Sequence, residues 1–176
     1  MREIKIKQNT LGDTRTATKV PTFYEFAESN RSHVNDVSNM MNRIAEEIMS
    51  TGALHDYTKI NEPERSLFYR ELCATIEGKT DSFVDGEWYP MHCKTERHHL
   101  NEYCPDDVNL IDVIEMICDC VCAGLARSGN VRPIEIDADI LKRAVNNTVK
   151  ILAEAVDIVR QAESRQPLPE PYREEK

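Results

Sequence analysis

From Asp137 onward, Leu141, Val145, Val149, Leu152, Val156 and Val159 recur at steps of 4, 4, 3, 4 and 3. An α-helix brings residues at those intervals onto one face, and Asp137 supplies a side-chain oxygen for its first free N–H groups. A single long amphipathic helix through Val159 is therefore predicted. A second stripe, Val37, Met40, Met41, Ile44 and Ile48, predicts a helix over residues 32–50 that Gly52 ends. Glu62-Pro63-Glu64 reads as the opening of a helix through Ile76, with proline and acids in the first turn. A shorter helix is predicted from about Trp88 towards His98, after a loop over residues 78–87. Asn109 caps another from Leu110 to about Arg127, with Gly129 just beyond its end. Strand signals are confined to Ile4–Lys7 and Pro133–Ile136. The expected class is all-α, a compact helical bundle formed by one domain over residues 1–164. Residues 165–176, ending in QPLPEPYREEK, read as a disordered, solvated tail.

The chain has 176 residues, 40% of them hydrophobic and 30% charged, with six glycines. That balance excludes collagen-like, mucin-like and wholly disordered chains. Acids outnumber bases 31 to 22, for a net charge of −9. Such a chain repels long nucleic acids and anionic membranes, and it binds a small anion only where a local cation sits in a pocket. There is no apolar run of membrane-spanning length, and MREIKIKQNT lacks a signal peptide's apolar core. A soluble protein of the cytoplasm is expected. Six cysteines in a reducing compartment need no disulfides. Cys118, Cys120 and Cys122 alternate along a helix, so successive thiols point about 200° apart and cannot converge on one metal. Buried, inert thiols are expected there.

The five histidines all fall between positions 33 and 99. His33 is in phase with Val37, Met40 and Ile44 and is expected to face inward. His55 and Asp56 are adjacent on an expected helix edge, where imidazole nitrogen and carboxylate oxygen together suit first-row transition metals. Lys59 follows on the same side and can place an ammonium beside a phosphate. In HCKTERHH, the residues His92, Glu96 and His99 share one face at steps of four and three if the helix persists. On the next helix, LIDVIEMICDCVCAGLA, an acidic stripe of Asp112, Glu115 and Asp119 crosses an otherwise apolar surface. A buried carboxylate needs a metal or a cationic partner. Asp112 is expected to be the exposed member and Asp119 a buried ligand.

The ordered set His33, His55-Asp56, His92, His98 or His99, and Asp119 resembles the HD superfamily of metal-dependent phosphohydrolases. The two extra histidines before the last aspartate resemble its dinuclear branch. His-Asp-x-x-Lys, the His98-His99 pair and Ile114-Glu115-Met116-Ile117-Cys118-Asp119 are similar to a small family of phage and bacterial HD-like proteins. The resemblance covers roughly residues 14–130. It implies an HD-type helical fold and one or two divalent transition ions, iron or manganese first, with zinc, nickel and cobalt also compatible.

The implied ligands are His33, His55, Asp56, His92, His98, His99 and Asp119, with Asp56 bridging. The implied substrate is a nucleotide or other small phosphate ester in the bacterial cytosol, from a cellular or a phage gene. Lys59, with Arg15 or Lys19, would clamp its phosphate, and Glu115 would orient a ligand or act as general base. Self-association stays open. Two other classes remain: a di-iron oxygenase using the same ligands, and a non-catalytic binding protein, including a zinc-stabilised module built on Cys93, Cys104 and His98 or His99.

Overall fold

The computed structural model describes residues 4–8 and 16–159. Among these residues the chain forms five α-helices, one short 3-10 turn and one pair of strands, so the all-α class holds. No helix is long and apolar enough to cross a membrane. The described residues divide into two compact units. One contains those up to Met40 and from Ala155 onward, and the other is Met41–Glu154. The expected tail over 165–176 lies outside the described residues, as do Arg15 and the end of the expected 1–164 domain.

In the first unit β1 (Ile4–Lys7) pairs in parallel with β2 (Val156–Val159), Lys5 lying opposite Asp157. This corrects the expectation of a helix through Val159. The last helix, α5 (Ala138–Glu154), stops before the Val-Asp-Ile-Val run. β-Branched residues lose rotamer freedom in a helix and suit a strand. IKIK provides the partner, with opposite charges facing across the pair. Helix α1 (Phe23–Leu54) begins in this unit and has no fully buried residue. His33, expected to face inward, is exposed. In its stripe Val37 and Met41 are exposed, and Met40, Ile44 and Ile48 are half-buried.

In the second unit α1 runs past Gly52 and ends at Leu54, because Asp56 turns left-handed with φ 56°. The His55-Asp56 doublet thus sits in a turn and not on a helix. It leads into the 3-10 turn Tyr57–Lys59 and then α2 (Glu64–Ile76). Helix α3 (Trp88–Thr95) starts on the Glu71 carboxylate of α2, which accepts from the Glu87 and Trp88 N–H groups at 3.0 and 3.1 Å. A carboxylate there satisfies orphan donors and complements the helix dipole. α3 ends before His98, so His98 and His99 lie in the following turn.

Helix α4 (Leu110–Ser128) has the expected ends. Asn109 Oδ1 accepts from Ile111 N at 2.8 Å, and Gly129 closes it at φ 69°. Asp112 is buried, against expectation. Its Oδ2 accepts from Asn109 N at 2.8 Å, and Arg97 reaches both oxygens at 2.9 Å. Asp137 Oδ1 caps α5, accepting from Asp139 N and Ile140 N. Pro133–Ile136, an expected strand, is irregular; Pro133 has no N–H to give a ladder. The core of this unit is Val108, Val113 and Ala144, with Leu100, Leu110, Ile136 and Ile140 against it. Thr148 Oγ1 accepts from Leu110 N at 2.8 Å, fixing α5 to the start of α4.

Candidate metal centre

Three pieces of the second unit converge: the turn after α1, the end of α3 with its following turn, and the middle of α4. Asp56 is central. Its left-handed backbone, tolerated by aspartate, stands at the junction of α1 and the 3-10 turn. Its side chain makes no cap there and faces the histidines instead. Oδ2 receives the Lys59 ammonium and lies 3.3 Å from His55 Nε2. Oδ1 is buried without a hydrogen-bond partner. His92 Nε2 lies 3.4 Å and His98 Nε2 3.7 Å from it. Burial pushes the Asp56 carboxyl up, but Lys59, with help from His55 and His92, more than offsets this and holds it below its ordinary value.

The tautomers follow from counting protons. Thr58 Oγ1 has one hydrogen, which it donates to the Glu96 carboxylate at 2.7 Å. His92 Nδ1, 2.6 Å from the same hydroxyl oxygen, must therefore donate. Burial first, then His99 and Lys59, lowers the His92 pKa to about 3, so the ring is neutral near pH 7. Its Nε2 thus carries the lone pair and accepts from His99 Nε2–H at 3.0 Å, so Asp56 Oδ1, 3.4 Å away, receives no hydrogen from it. Trp88 stacks on the His92 ring with centroids 4.4 Å apart and 13° between planes, and Phe68 stacks on the other part of the indole at 4.1 Å. The imidazole is fixed by both its hydrogen bond and its packing.

Glu115 plays for His55 the part that Thr58 plays for His92. His55 Nδ1 donates to Glu115 Oε1 at 2.9 Å. In the neutral ring this turns the Nε2 lone pair towards Asp56 Oδ2 and Asp119 Oδ1, the latter 3.6 Å away. His98 Nδ1 lies 3.2 Å from Glu115 Oε1, close enough for attraction but off the line of a hydrogen bond. Burial lowers the His98 pKa, but Glu115 and Asp56 outweigh it and raise it overall. Burial likewise raises the Glu115 carboxyl, and the two histidines bring it down below its usual value. His99 Nε2 stands 3.0 Å from His92 Nε2; burial and then His98 lower its pKa.

Four sets of three ligand atoms lie within 4.8 Å of one another: His55–His98–Glu115, Asp56–His98–His99, His55–Asp56–Asp119 and Asp56–His92–Glu96. Two atoms each about 2.1 Å from one ion stand about 3.0–3.4 Å apart at octahedral or tetrahedral angles. Of the separations around Asp56, 3.3 Å to His55 and 3.4 Å to His92 lie in that range, while 3.7 Å to His98, like the 3.6 Å between His55 and Asp119, lies 0.2–0.3 Å beyond it. The residues therefore fit one or two divalent ions, with Asp56 offering one oxygen to each side. His92, His98 and His99 all reach this region, so the question of one or the other of the pair does not arise from geometry.

All four sets come from residues 55–119. His33 and Lys19 lie in the first unit, both exposed, and Arg15 lies outside the described residues. The roles of Thr58 and Glu96 carry no sequence mark, because Thr58 meets His92 and Glu96 across 34 and 38 residues; Trp88 stands four residues before His92 on α3, a spacing that could have signalled their stacking. Among the described residues no such set contains a cysteine. Cys118 and Cys122, expected to be buried, are exposed and Cys120 is half-buried. Cys118 and Cys122 line a cavity of about 230 Å³ with Ile48, Ile111 and Ile114, and His55, Glu115 and Asp119 border the same space. That face of α4 borders open volume where a packed neighbour was expected.

Over residues 22–158 the chain matches the Family of unknown function (DUF5662). No curated protein and no solved structure matches it.

Proposed function

We propose that this chain, which belongs to the DUF5662 family, is a metal-dependent phosphohydrolase of the HD type acting on nucleotides or other small phosphate esters. The observation that carries the reading is Asp56 Oδ1, buried without a hydrogen-bond partner, with His92 Nε2 at 3.4 Å and His98 Nε2 at 3.7 Å. A buried carboxylate oxygen without a donor costs free energy that a bound cation would offset. Iron or manganese suits an imidazole- and carboxylate-rich set. Such an ion makes water acidic enough to attack at neutral pH and draws charge from phosphoryl oxygens.

The chain's own residues do the rest. His55, Asp56 and Asp119 would hold one ion, and Asp56 with His92, His98 and His99 would hold a second. Glu115 and the Thr58–Glu96 pair keep the imidazoles aimed and in the right tautomer, as partners of ligating histidines do. With Oε1 occupied by His55, Glu115 is a positioning residue rather than a general base. Lys59 is about one-third exposed on a flexible stem. It neutralises Asp56 in the free protein and is free to swing its ammonium to a substrate phosphate. The absence of cysteine from the close-set groups among the described residues argues against the zinc-module alternative.

The experiment is turnover of a panel of nucleotides and sugar phosphates by manganese-loaded protein, with oxygen uptake followed in an iron-loaded sample. Phosphate release that vanishes in Asp56→Asn is expected. Oxygen uptake without phosphate release from any ester contradicts the hydrolase and favours the oxygenase.

A further inference from the structure

Asp119 also borders a groove made of two adjoining cavities. One, of about 220 Å³, is lined by His98, His99 and Glu135. The other, of about 470 Å³, is lined by Arg127, Asn130 and Arg132. Met116, Asp119, Cys120 and Glu135 line both, so the histidine cavity and the arginine cavity adjoin at these residues.

The wall at the arginine end is held in a defined shape. An added Cβ on Gly124 would stand 2.8 Å from Asn130 O, so only glycine lets residues 130–131 lie this close to α4. Gly129 turns the chain in the left-handed region, and Ser128 Oγ bonds Gly124 O at 3.1 Å while Asn130 Nδ2 bonds Ser128 O at 3.1 Å.

Among the described residues Arg127 and Arg132 form no ion pair. By contrast Arg31, Arg65, Arg97 and Arg143 each hold a carboxylate. In a chain of net charge −9, two uncommitted guanidiniums on one cavity are a local positive end. Glu135 lies between them and the histidines and repels an anion there, so the charge it tolerates must be placed beyond it. Arg127 follows Asp119 by about 12 Å along α4 at the helical rise.

We propose that the substrate is a phosphate ester with a second anionic group. Its reacting phosphate lies at the His/Asp cluster, and its far phosphate or carboxylate is gripped by Arg127 and Arg132. Hydroxyl groups between the two ends donate to Glu135. Guanidinium forks match either anion bidentately. Which end reacts rests on the phosphohydrolase reading; the grip of the arginines does not.

The test is calorimetric titration of the full chain, metal-free and manganese-loaded, with fructose 1,6-bisphosphate and with fructose 6-phosphate. The parent is expected to bind the bisphosphate about 10-fold or more tightly than the monophosphate, with or without manganese, since two charge-assisted contacts act at the far end. In the Arg127→Gln/Arg132→Gln double variant the two sugars are expected to bind alike. Arg70→Gln, which removes a positive charge lining a different cavity, is expected to keep the preference. A parent without the preference, or a double variant that retains it, overturns the proposal. An arginine-dependent preference without hydrolysis counts against the phosphohydrolase alone and leaves the second-anion site supported.

Discussion

Helix α4 carries three acids on one stripe, and the first turn treats its carboxylate differently from the two turns that follow. Asp112 is buried, yet every lone pair it turns inward is answered: Asn109 N on one oxygen, and both arms of Arg97. Glu115 accepts from His55 at 2.9 Å, and Asp119 and Asp56 share the other nitrogen of that ring, but Asp56 Oδ1 is left without a donor. The first arrangement is complete within the chain. The second is not, at Asp56 Oδ1. A buried carboxylate therefore says little about function until its partners' protons are counted.

The comparison can be broken most forcefully at Asp56. Asp56→Asn removes the shared ligand, and metal affinity is expected to fall at least about 1000-fold, while the metal-free protein keeps its far-UV helical signal and loses only the modest stability of the Lys59 ion pair. A variant that unfolds without metal would show that Asp56 is held as Asp112 is. Lys59→Ala, removing the ammonium from Asp56, is expected to leave metal content intact. It should cost turnover about 30- to 1000-fold, read from steady-state kinetics on the best ester found. Turnover like the parent's removes Lys59 from the site.

At the complete end the expectation reverses. Arg97→Ala leaves Asp112 buried and short of a charge, and is expected to destabilise the fold by about 2–3 kcal/mol in urea unfolding, discounted for the partial exposure of the arginine, with metal stoichiometry unchanged. Glu115→Gln sharpens the contrast. It keeps the shape but weakens the grip on His55, and is expected to weaken metal binding about 10- to 100-fold without lowering stability comparably.

The smallest effect is a pH dependence of the metal-free chain. Burial holds the His92 pKa near 3, and His99 is also lowered. Folded-state values below the unfolded ones mean that stability is present above about pH 6.5 and is lost as the pH falls towards 3. His98, shifted upward, opposes this: its contribution is present below its unfolded pKa and is lost as the pH rises through its folded one. Urea midpoints at pH 7 and pH 5 measure the balance, and a lower midpoint at pH 5 is expected.

Much of α4 was legible because its signals are local. Asn109, Gly129 and the apolar run between them act within a few residues. Asp112 was not legible, since its partner Arg97 lies in a turn 15 residues earlier. The same limit hid the end of α5: Val156 and Val159 fit the helical stripe, and only a strand at residues 4–7 redirects them. His55, Asp56, His92, His98, His99 and Asp119 could be singled out by type and order, and the structure gathers them. What stayed hidden was their orientation, set by the left-handed turn at Asp56 and the Thr58 hydroxyl. Those act through space, and single positions do not announce them.

The central claim is that the lone pairs around Asp56 await a cation, and metal titration of chelator-stripped protein tests it most directly. With manganese or iron(II) followed by calorimetry and by thermal unfolding, one to two ions per chain and a rise in Tm with metal concentration are predicted, both abolished in Asp56→Asn. No binding, and a Tm indifferent to either metal, would contradict it.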